Sequence, residues 1–340
     1  NAITDQCTDA ERAATTCNVP SEGITSYFGG NDNADSSGNI KWAKIWYAGS
    51  GPKVGGEGDD LNSLTLNAVG SGSEFDYLHI HQGFDDGIEF FGGASTVKHV
   101  VVTDTQDDSF DFDAGYHGKM QYLFVKHGTV VTRDGTTVSM GNHGFESDGV
   151  KGASSAEAPP SNPTIANVTI VTTDGLSVRD GDPSVAFKFD DEFNANFYNV
   201  LMVKTAATQT YCITFSSDGE KQADKIMFNN SVMACNVEFD DVDGTFNSGK
   251  EPASLTGTAL SAWFDGTSNI RIGSSASVLA ANGFATDTAS ADITISANDL
   301  STLDAGFFDS VNYIGAVSDQ DTSSNWYKWV ETALAAAEQD

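Results

Sequence analysis

Hydrophobic and polar residues alternate along a central stretch of the chain, and this alternation repeats. Residues 77–93 (YLHIHQGFDDGIEFFGG) align with residues 99–115 (HVVVTDTQDDSFDFDAG) at an offset of 22 residues. A third line, residues 122–128 (YLFVKHG), repeats the start of the first at an offset of 45. A period of two is typical of strands. Self-similarity at this spacing indicates a solenoid in which each repeat forms one coil.

Stacked coils predict which side chains fill the interior. Within each line, every second residue is apolar. These residues should point inward, directly below their counterparts in the next coil. A recurring apolar-x-Phe pattern also predicts an internal ladder of stacked Phe rings. The predicted fold is all-β, a right-handed parallel β-helix. The expected inward pairs are Leu78 with Val100, Ile80 with Val102, Ile88 with Phe110, and Phe90 with Phe112.

Both ends of the predicted solenoid carry helix signals. Thr8 and Glu11 have the spacing of a capping box, which predicts a short helix within an N-terminal cap, residues 1–26. Residues 318–340 carry apolar residues at helical spacing, and we expect an amphipathic helix that covers the last coil or docks on another molecule. Its apolar residues are Trp326, Trp329, Val330, Ala333, Leu334 and Ala337.

The coils are expected to fill residues 27–317 as one domain. The segment of about residues 128–163 is rich in Gly and contains Pro159 and Pro160. They interrupt the repeat, so we interpret them as a loop inserted into the stack.

The charge balance narrows the classes of partner. The chain has 340 residues, with 17 Lys and Arg against 48 Asp and Glu, and a formal net charge of −31. A surface of this sign does not favour nucleic acid or anionic membranes. No apolar run approaches the length of about 20 residues that a transmembrane helix needs.

Four cysteines are compatible with two disulfides. Cys7 and Cys17 bracket the predicted N-terminal helix, and we expect them to be bonded. Cys212 and Cys235 lie about one coil apart, but their registers differ by one residue, so the sequence leaves this bond open. Disulfides favour a secreted protein, located outside the cell or on its outer surface.

Acidic residues recur at the same position of successive coils. Neighbouring strands are about 4.8 Å apart, so stacked carboxylates repel unless they share a cation, bind a proton or turn into water. Oxygen ligands favour calcium. The competing interpretation is that these residues only form turns at coil corners. The candidate calcium ligands are Asp85, Asp86, Glu89, Asp107, Asp108, Asp111 and Asp113.

Aromatic and His side chains form a predicted outward stripe on one strand face. Three interpretations remain open for it: a surface covered by the loop 128–163, a groove that stacks sugar rings, or a contact with another subunit. Together with Trp326 and Trp329 of the C-terminal helix, the stripe is a candidate interface. Its members are Tyr77, His79, His81, His99, Tyr122 and Phe124.

Several segments resemble a family of secreted bacterial β-helix proteins. They are residues 27–49, 61–72, 85–93 and 162–170, and the stretch 312–316 before the Trp-containing tail. The resemblance covers most of the chain and implies a protein that is exported or attached to the cell surface. It implies no enzymatic activity. The architecture is also similar to that of the pectin-lyase-like superfamily, but no lyase motif is present.

Catalysis has little support in the sequence, since no Gly-x-Ser-x-Gly motif occurs and no Cys lies near a His. We therefore expect a structural or adhesive extracellular protein that assembles with copies of itself into filaments or arrays. The alternative is a protein that binds polysaccharide, or a calcium-dependent polysaccharide lyase. An outward cluster of Asp, Lys and Arg in an open groove would favour the enzyme, and a buried stripe would favour the structural protein.

Overall fold

The computed structural model describes residues 1–51, 60–179, 181–204, 211–216, 223–240, 258–266, 268–274 and 276–338. The α-helices in this part are α1 (Asp9–Ala13), α2 (Leu260–Asp265) and α3 (Asn325–Ala337). The strands are β1 (Val19–Pro20), β2 (Tyr27–Phe28), β3 (Ile40–Trp46), β4 (Leu64–Asn67), β5 (Glu74–His81), β6 (Ile88–Phe91), β7 (Thr96–Thr103), β8 (Phe110–Asp113), β9 (Lys119–Lys126), β10 (Thr129–Val131), β11 (Thr137–Ser139), β12 (His143–Asp148), β13 (Thr164–Thr172), β14 (Val185–Asp190), β15 (Ala195–Lys204), β16 (Ile213–Phe215), β17 (Ile226–Asn229), β18 (Val232–Ala234) and β19 (Ile270–Ile272). No helix among the described residues has the length and apolar character needed to cross a lipid bilayer.

Two parallel sheets share one hydrophobic core. The long sheet has the order β19-β18-β15-β13-β9-β7-β5-β3, with β17 paired to β15, and the short sheet has the order β16-β14-β12-β8-β6-β4. Successive coils add one strand to each sheet in sequence order. This is the topology of a parallel β-helix, and the predicted fold class is confirmed.

The coil register agrees with the sequence repeats. Leu78 pairs with Val100, Val100 pairs with Leu123, and Phe90 pairs with Phe112. All five side chains are buried in the shared core.

A ladder of Phe rings runs through the core beside the short sheet. The ring centroids of Phe90 and Phe112 are 5.1 Å apart, and those of Phe110 and Phe145 are 4.9 Å apart. Phe187 continues the stack at 5.1 Å from Phe145. Each fully buried Phe contributes roughly 2–3 kcal/mol by leaving water, so the ladder is a main source of stability.

The strands of the long sheet bend at one residue with a left-handed backbone, which the alternating pattern does not predict. At this bend Phe75 and Leu78, three residues apart, both point into the core. Left-handed backbone costs of order 1–3 kcal/mol for a side-chain-bearing residue. The bends lie at matching register positions, at Trp42 (φ 60°), Tyr77 (φ 54°), His99 (φ 53°), Tyr122 (φ 62°), Asn167 (φ 53°) and Asn199 (φ 56°).

The interpretation of residues 128–163 as one inserted loop is wrong. Strand β12, His143–Asp148, lies inside this range and occupies the short sheet between β8 and β14. Only the antiparallel hairpin β10–β11 and residues 149–163 leave the coil pattern. The repeat was hidden because the hairpin lengthens the coil before β12.

The C-terminal part differs from the prediction that coils continue to residue 317. The last strand of the long sheet is β19, and residues 276–338 pack on the outer face of that sheet. Asn199 accepts a hydrogen bond from the backbone of Asn298 (2.6 Å), and Thr169 accepts one from Ala316 (2.8 Å). Helix α3 forms as predicted, but it contacts β5 and β7 on the side of the stack instead of the last coil.

The N-terminal helix α1 has the predicted capping box. The backbone N–H of Thr8 donates to Glu11 (2.8 Å), and that of Glu11 donates to the Thr8 hydroxyl (3.3 Å). The Cys7–Cys17 disulfide is confirmed, and Cys212 and Cys235 are bonded as well.

The segment before α1 does not lie over the end of the stack. Its backbone crosses the corners of successive coils, where Ala2 N–H donates to Ala68 O (2.8 Å). Further along, Asp5 N–H donates to Ala114 O (3.0 Å). The N-terminal residues therefore tie neighbouring coils together along the side.

A fully buried Lys lies at the end of β15. The Lys204 ammonium donates to the carbonyl oxygens of Thr173 (2.8 Å) and Ser184 (2.6 Å). Burial lowers the pKa of Lys204 to about 7. The unfolded chain therefore binds one more proton than the folded chain between pH 7 and the ordinary Lys pKa of about 10.4.

This difference predicts a pH effect. Between pH 7 and pH 9, Lys204 should add about 2 kcal/mol to the free energy of unfolding, since stability rises with pH where the unfolded state binds more protons. Urea unfolding of the wild type and of Lys204→Met at several pH values isolates the effect, because other groups cancel in the difference. If the free energy of unfolding depended equally on pH in the two proteins, that result would contradict a lowered pKa of Lys204.

Candidate functional site

Carboxylates form a column on the outer face of the short sheet. Glu89 on β6 pairs with Asp111 on β8, and Asp111 pairs with Glu146 on β12. These three residues are the carboxylate ladder. Thr65 and Lys188 continue the column on either side. Since the residue between two inward Phe side chains must point outward, the same alternation that builds the core also builds this column.

A second row lies where each coil enters the short sheet. Asp86 accepts a hydrogen bond from the Asp108 N–H (3.0 Å), and Asp108 accepts one from the His143 N–H (3.0 Å). Asn62 begins this row by accepting from the Asp86 N–H (3.2 Å). These side chains bond the next coil, so the prediction of turn-forming Asp residues describes part of their role.

Arg179 is the counter-charge at one edge of the cluster. Its guanidinium forms ion pairs with Asp60, Asp85 and Asp107, the last at 3.2 Å. It also lies over the Phe84 ring, 5.4 Å from the centroid. Arg179 comes from the connection between β13 and β14, far from its partners in sequence.

A third row lies where the chain leaves the short sheet. Lys151 pairs with Asp113, and Lys188 pairs with Glu146 of the carboxylate ladder. Asp148 at the end of β12 pairs with Asp190 on β14, and one of its oxygens is buried without a hydrogen-bond partner. Burial, with Glu146 and Asp113 nearby, raises the pKa of Asp148 to about 8.

The cluster holds carboxyl groups that contact one another. Glu22 interacts with Glu89, and Asp108 interacts with Glu146. Two ionised carboxylates at this distance repel, so such a pair needs a shared proton or a cation. One oxygen of Asp111 is also buried and lacks a hydrogen-bond partner.

Burial dominates the proton affinity of these groups. It raises the pKa of Asp86, Glu89, Asp108 and Asp111 well above the usual range, and neighbouring carboxylates add to the effect. Glu146 is the exception.

Although burial acts to raise the pKa of Glu146, a hydrogen bond from Asp108 and the nearby His143 and Lys188 lower it to about 2. Burial lowers the pKa of His143 to about 4, so its 2.7 Å contact with Asp108 is a hydrogen bond of a neutral ring.

Among the residues that the structure describes, four groups have ligand atoms close enough to share a metal ion, all within 4.8 Å of one another. We regard Asp86, Glu89 and Asp111 as the best fit to calcium. All their ligand atoms are oxygens, Asp111 has an unpartnered one, and Asp86 and Glu89 are buried, unlike the three residues of the other group with an unpartnered oxygen. Arg179 already neutralises the group that contains Asp85. The other groups are Asp85, Asp86 and Asp107; Asp108, His143 and Glu146; and Asp148, Asp190 and Asp191.

All seven predicted calcium ligands therefore lie in this cluster or at its edge. The sequence reasoning missed several other members. A repeat signal existed for one of them, Glu146, since FES at 145–147 follows FDF at 110–112 at an offset of 35. The missed members are Glu22, Asp60, His143, Glu146, Asp148, Lys151, Arg179 and Lys188.

The predicted aromatic stripe lies on the outer face of the long sheet but is covered by the same chain. Tyr77 stacks between Trp42 (3.8 Å) and His99 (4.4 Å), and His99 stacks on Tyr122 (4.8 Å). Trp326 covers this column, 5.3 Å from the His99 ring. The cover comes from the C-terminal segment, so the interpretation that residues 128–163 cover the stripe, one of the three left open, is wrong.

The remaining stripe residues are fully buried. His79 and His81 pack against Trp46 (5.3 and 5.7 Å), and burial lowers the pKa of His79 to about 3. Phe124 contacts Phe284 of the C-terminal segment, at 6.5 Å between centroids. Trp329 also faces inward, and its ring N–H reaches Leu78 O at 3.3 Å.

The coil topology and the acidic outer face define a parallel β-helix protein with a candidate cation site. The chain belongs to the family of the pectate-lyase like beta helix domain, whose family model matches residues 7–295. No curated protein matches the sequence, and no solved structure matches it either.

Proposed function

We propose that this protein is exported and binds anionic polysaccharide through calcium held on the outer face of its short sheet. The observation that carries the proposal is the carboxylate ladder, which is largely buried and in contact with further acids on both sides. Asp86, Glu89 and Asp111 would hold the ion. Glu146 keeps about a fifth of its side chain exposed, so the ladder reaches solvent at this point.

Calcium supplies the positive charge that this chain lacks for binding a polyanion. At a net charge of −31 the protein repels acidic sugars. A calcium ion with 6–8 oxygen ligands can take some from the protein and others from the polymer. The two disulfides fit an oxidising, extracellular compartment, where polysaccharides are available.

The basic residues of the cluster favour binding over cleavage. A lyase needs a group that accepts the proton of the sugar ring. Although burial acts to lower the pKa of Lys151 and Lys188, their ion pairs with Asp113 and Glu146 raise it above the ordinary value. Arg179 is engaged with three Asp carboxylates.

Surface plasmon resonance tests this function. Immobilised protein should bind polygalacturonate in calcium, lose that binding in excess chelator, and bind neutral glucan less. Glu89→Gln with Asp111→Asn should abolish the calcium-dependent part, while Glu331→Gln on the exposed face of α3 should not change it. Binding that persists in chelator, or that survives in the double variant, would refute the proposal.

Self-assembly is a second candidate, and one observation favours it. Strand β3 is the edge of the long sheet, and it leaves Trp42 54% exposed. An exposed edge with apolar side chains can pair with another chain. Electron microscopy of the wild type and of Trp42→Ser should then show filaments only for the wild type. Single particles in both samples would exclude assembly through this edge.

A further inference from the structure

A cleft lies on the outer face of the long sheet, away from the carboxylate ladder on the short sheet. It has a volume of about 580 Å³ and opens between the long sheet and the C-terminal segment. Tyr77, His99 and Tyr122 line one side, and Trp326 with residues 309–313 lines the opposite side. The volume lies within the range of about 300–1,000 Å³ that is usual for small-molecule sites.

The cleft is lined by hydrogen-bonding groups on a rigid aromatic base. It contains the carboxylates of Asp309 and Asp321 and the amide of Asn312, beside the phenols of Tyr122 and Tyr313. Burial raises the pKa of Tyr122 and Tyr313, and the two carboxylates add to this effect. The phenols therefore stay protonated. The Tyr122 phenol donates to Asp309 and can still accept a hydrogen bond, and the Tyr313 phenol can donate one.

The ring faces of this base are already occupied. Tyr77, His99 and Tyr122 stack on one another, and the Lys98 ammonium lies 5.6 Å from the Tyr122 ring centroid. Lys98 also pairs with Asp309 at 2.8 Å. The cleft thus offers ring edges and polar atoms instead of an open aromatic cage for a cation.

The acidic lining of the cleft excludes anionic ligands. Among the described residues that line the cleft, none is Lys or Arg, whereas Asp309 and Asp321 are both acidic. An anionic sugar would lose water and meet the Asp321 carboxylate, while the nearby Lys98 is already paired with Asp309. Uncharged hydroxyl groups can instead donate to the carboxylates and accept from the Tyr313 phenol.

We propose that this cleft binds an uncharged saccharide, with sugar hydroxyls bonded to Asp321, Asn312 and the phenols. The site does not use the carboxylate ladder, so it should work without calcium. A polymer that carries both acidic and neutral sugars would contact the protein at both sites, which raises its overall affinity.

Saturation-transfer NMR in excess chelator tests the cleft. The probes are neutral tetrasaccharides of glucose, galactose, mannose and xylose, a galacturonate tetrasaccharide, and glucosamine. We expect at least one neutral sugar to bind, and the uronate and the amine not to bind. Tyr122→Phe keeps the ring stack but removes the hydroxyl, and it should weaken binding about tenfold. Tyr27→Phe, an exposed Tyr outside the cleft, is the matched control.

Each other outcome overturns the inference. Binding of no neutral sugar, preferential binding of glucosamine, or equal loss in both Tyr variants would each contradict a neutral-saccharide site. The chelator separates this result from the first proposal, because failure here leaves calcium-dependent binding of polygalacturonate intact.

Discussion

Calcium added to chelator-treated protein at pH 8 should raise the melting temperature by about 5 °C. An ion at 100 times its dissociation constant stabilises the folded state by about 2.7 kcal/mol. One kcal/mol corresponds to about 2–4 °C for a chain somewhat smaller than this one. The ion replaces repulsion among Asp86, Glu89 and Asp111 with attraction.

The calcium effect should grow as the pH rises from 6 to 8. Burial raises the pKa of these carboxyls, so protons and calcium compete for them. In chelator, the stability from bound protons is present at low pH and is lost as the pH passes through the raised folded values. At higher pH calcium displaces fewer protons, so its net effect increases. Comparing melting temperatures with and without calcium at each pH cancels the contributions of other groups.

A double variant tests whether calcium binds at the carboxylate ladder and not at other acidic residues. Glu89→Gln with Asp111→Asn should raise the melting temperature in chelator, because it removes buried like charges, and should remove the calcium increment. Glu331→Gln should leave both values unchanged. A calcium increment that is independent of pH, or equal in the double variant, would contradict a site on the ladder.

Val330→Asp should lower the melting temperature by of order 10 °C. Val330 is fully buried between α3 and the long sheet. An unpaired carboxylate there loses the apolar contact and is desolvated, at a cost of about 4 kcal/mol. Thr332→Asp adds the same charge to the exposed face of α3 and is the matched control.

Removal of residues 322–340 should have a related effect. It uncovers Tyr77 and His99, which Trp326 and Trp329 contact, so light scattering should show more association than for the wild type. A truncated protein that stays monomeric and melts normally would show that α3 is not a structural cover.

The coil repeat could be predicted because its determinants are local. Alternation and the 22-residue offset place Leu78 under Val100 and Phe90 under Phe112, as the register confirms. The bend at Tyr77 could not be predicted. Its left-handed backbone is stabilised by rings of neighbouring coils, and nothing in the local sequence indicates it.

The candidate cation site could likewise be predicted only where its determinants are local. Asp85, Asp86, Asp107 and Asp108 repeat in sequence, so their clustering follows from the coils. Arg179 reaches them from more than 70 residues away in the chain, through a connection whose path has no sequence signal. Likewise, amphipathic spacing predicts α3 but does not specify the surface on which it packs.

Isothermal titration of calcium into the chelator-treated wild type and the Glu89→Gln, Asp111→Asn double variant tests the central claim most directly. We expect saturable binding of at least one calcium ion per wild-type chain, with release of protons, and none at the same site in the double variant. No binding at millimolar calcium, or identical isotherms for the two proteins, would contradict a calcium site on the carboxylate ladder.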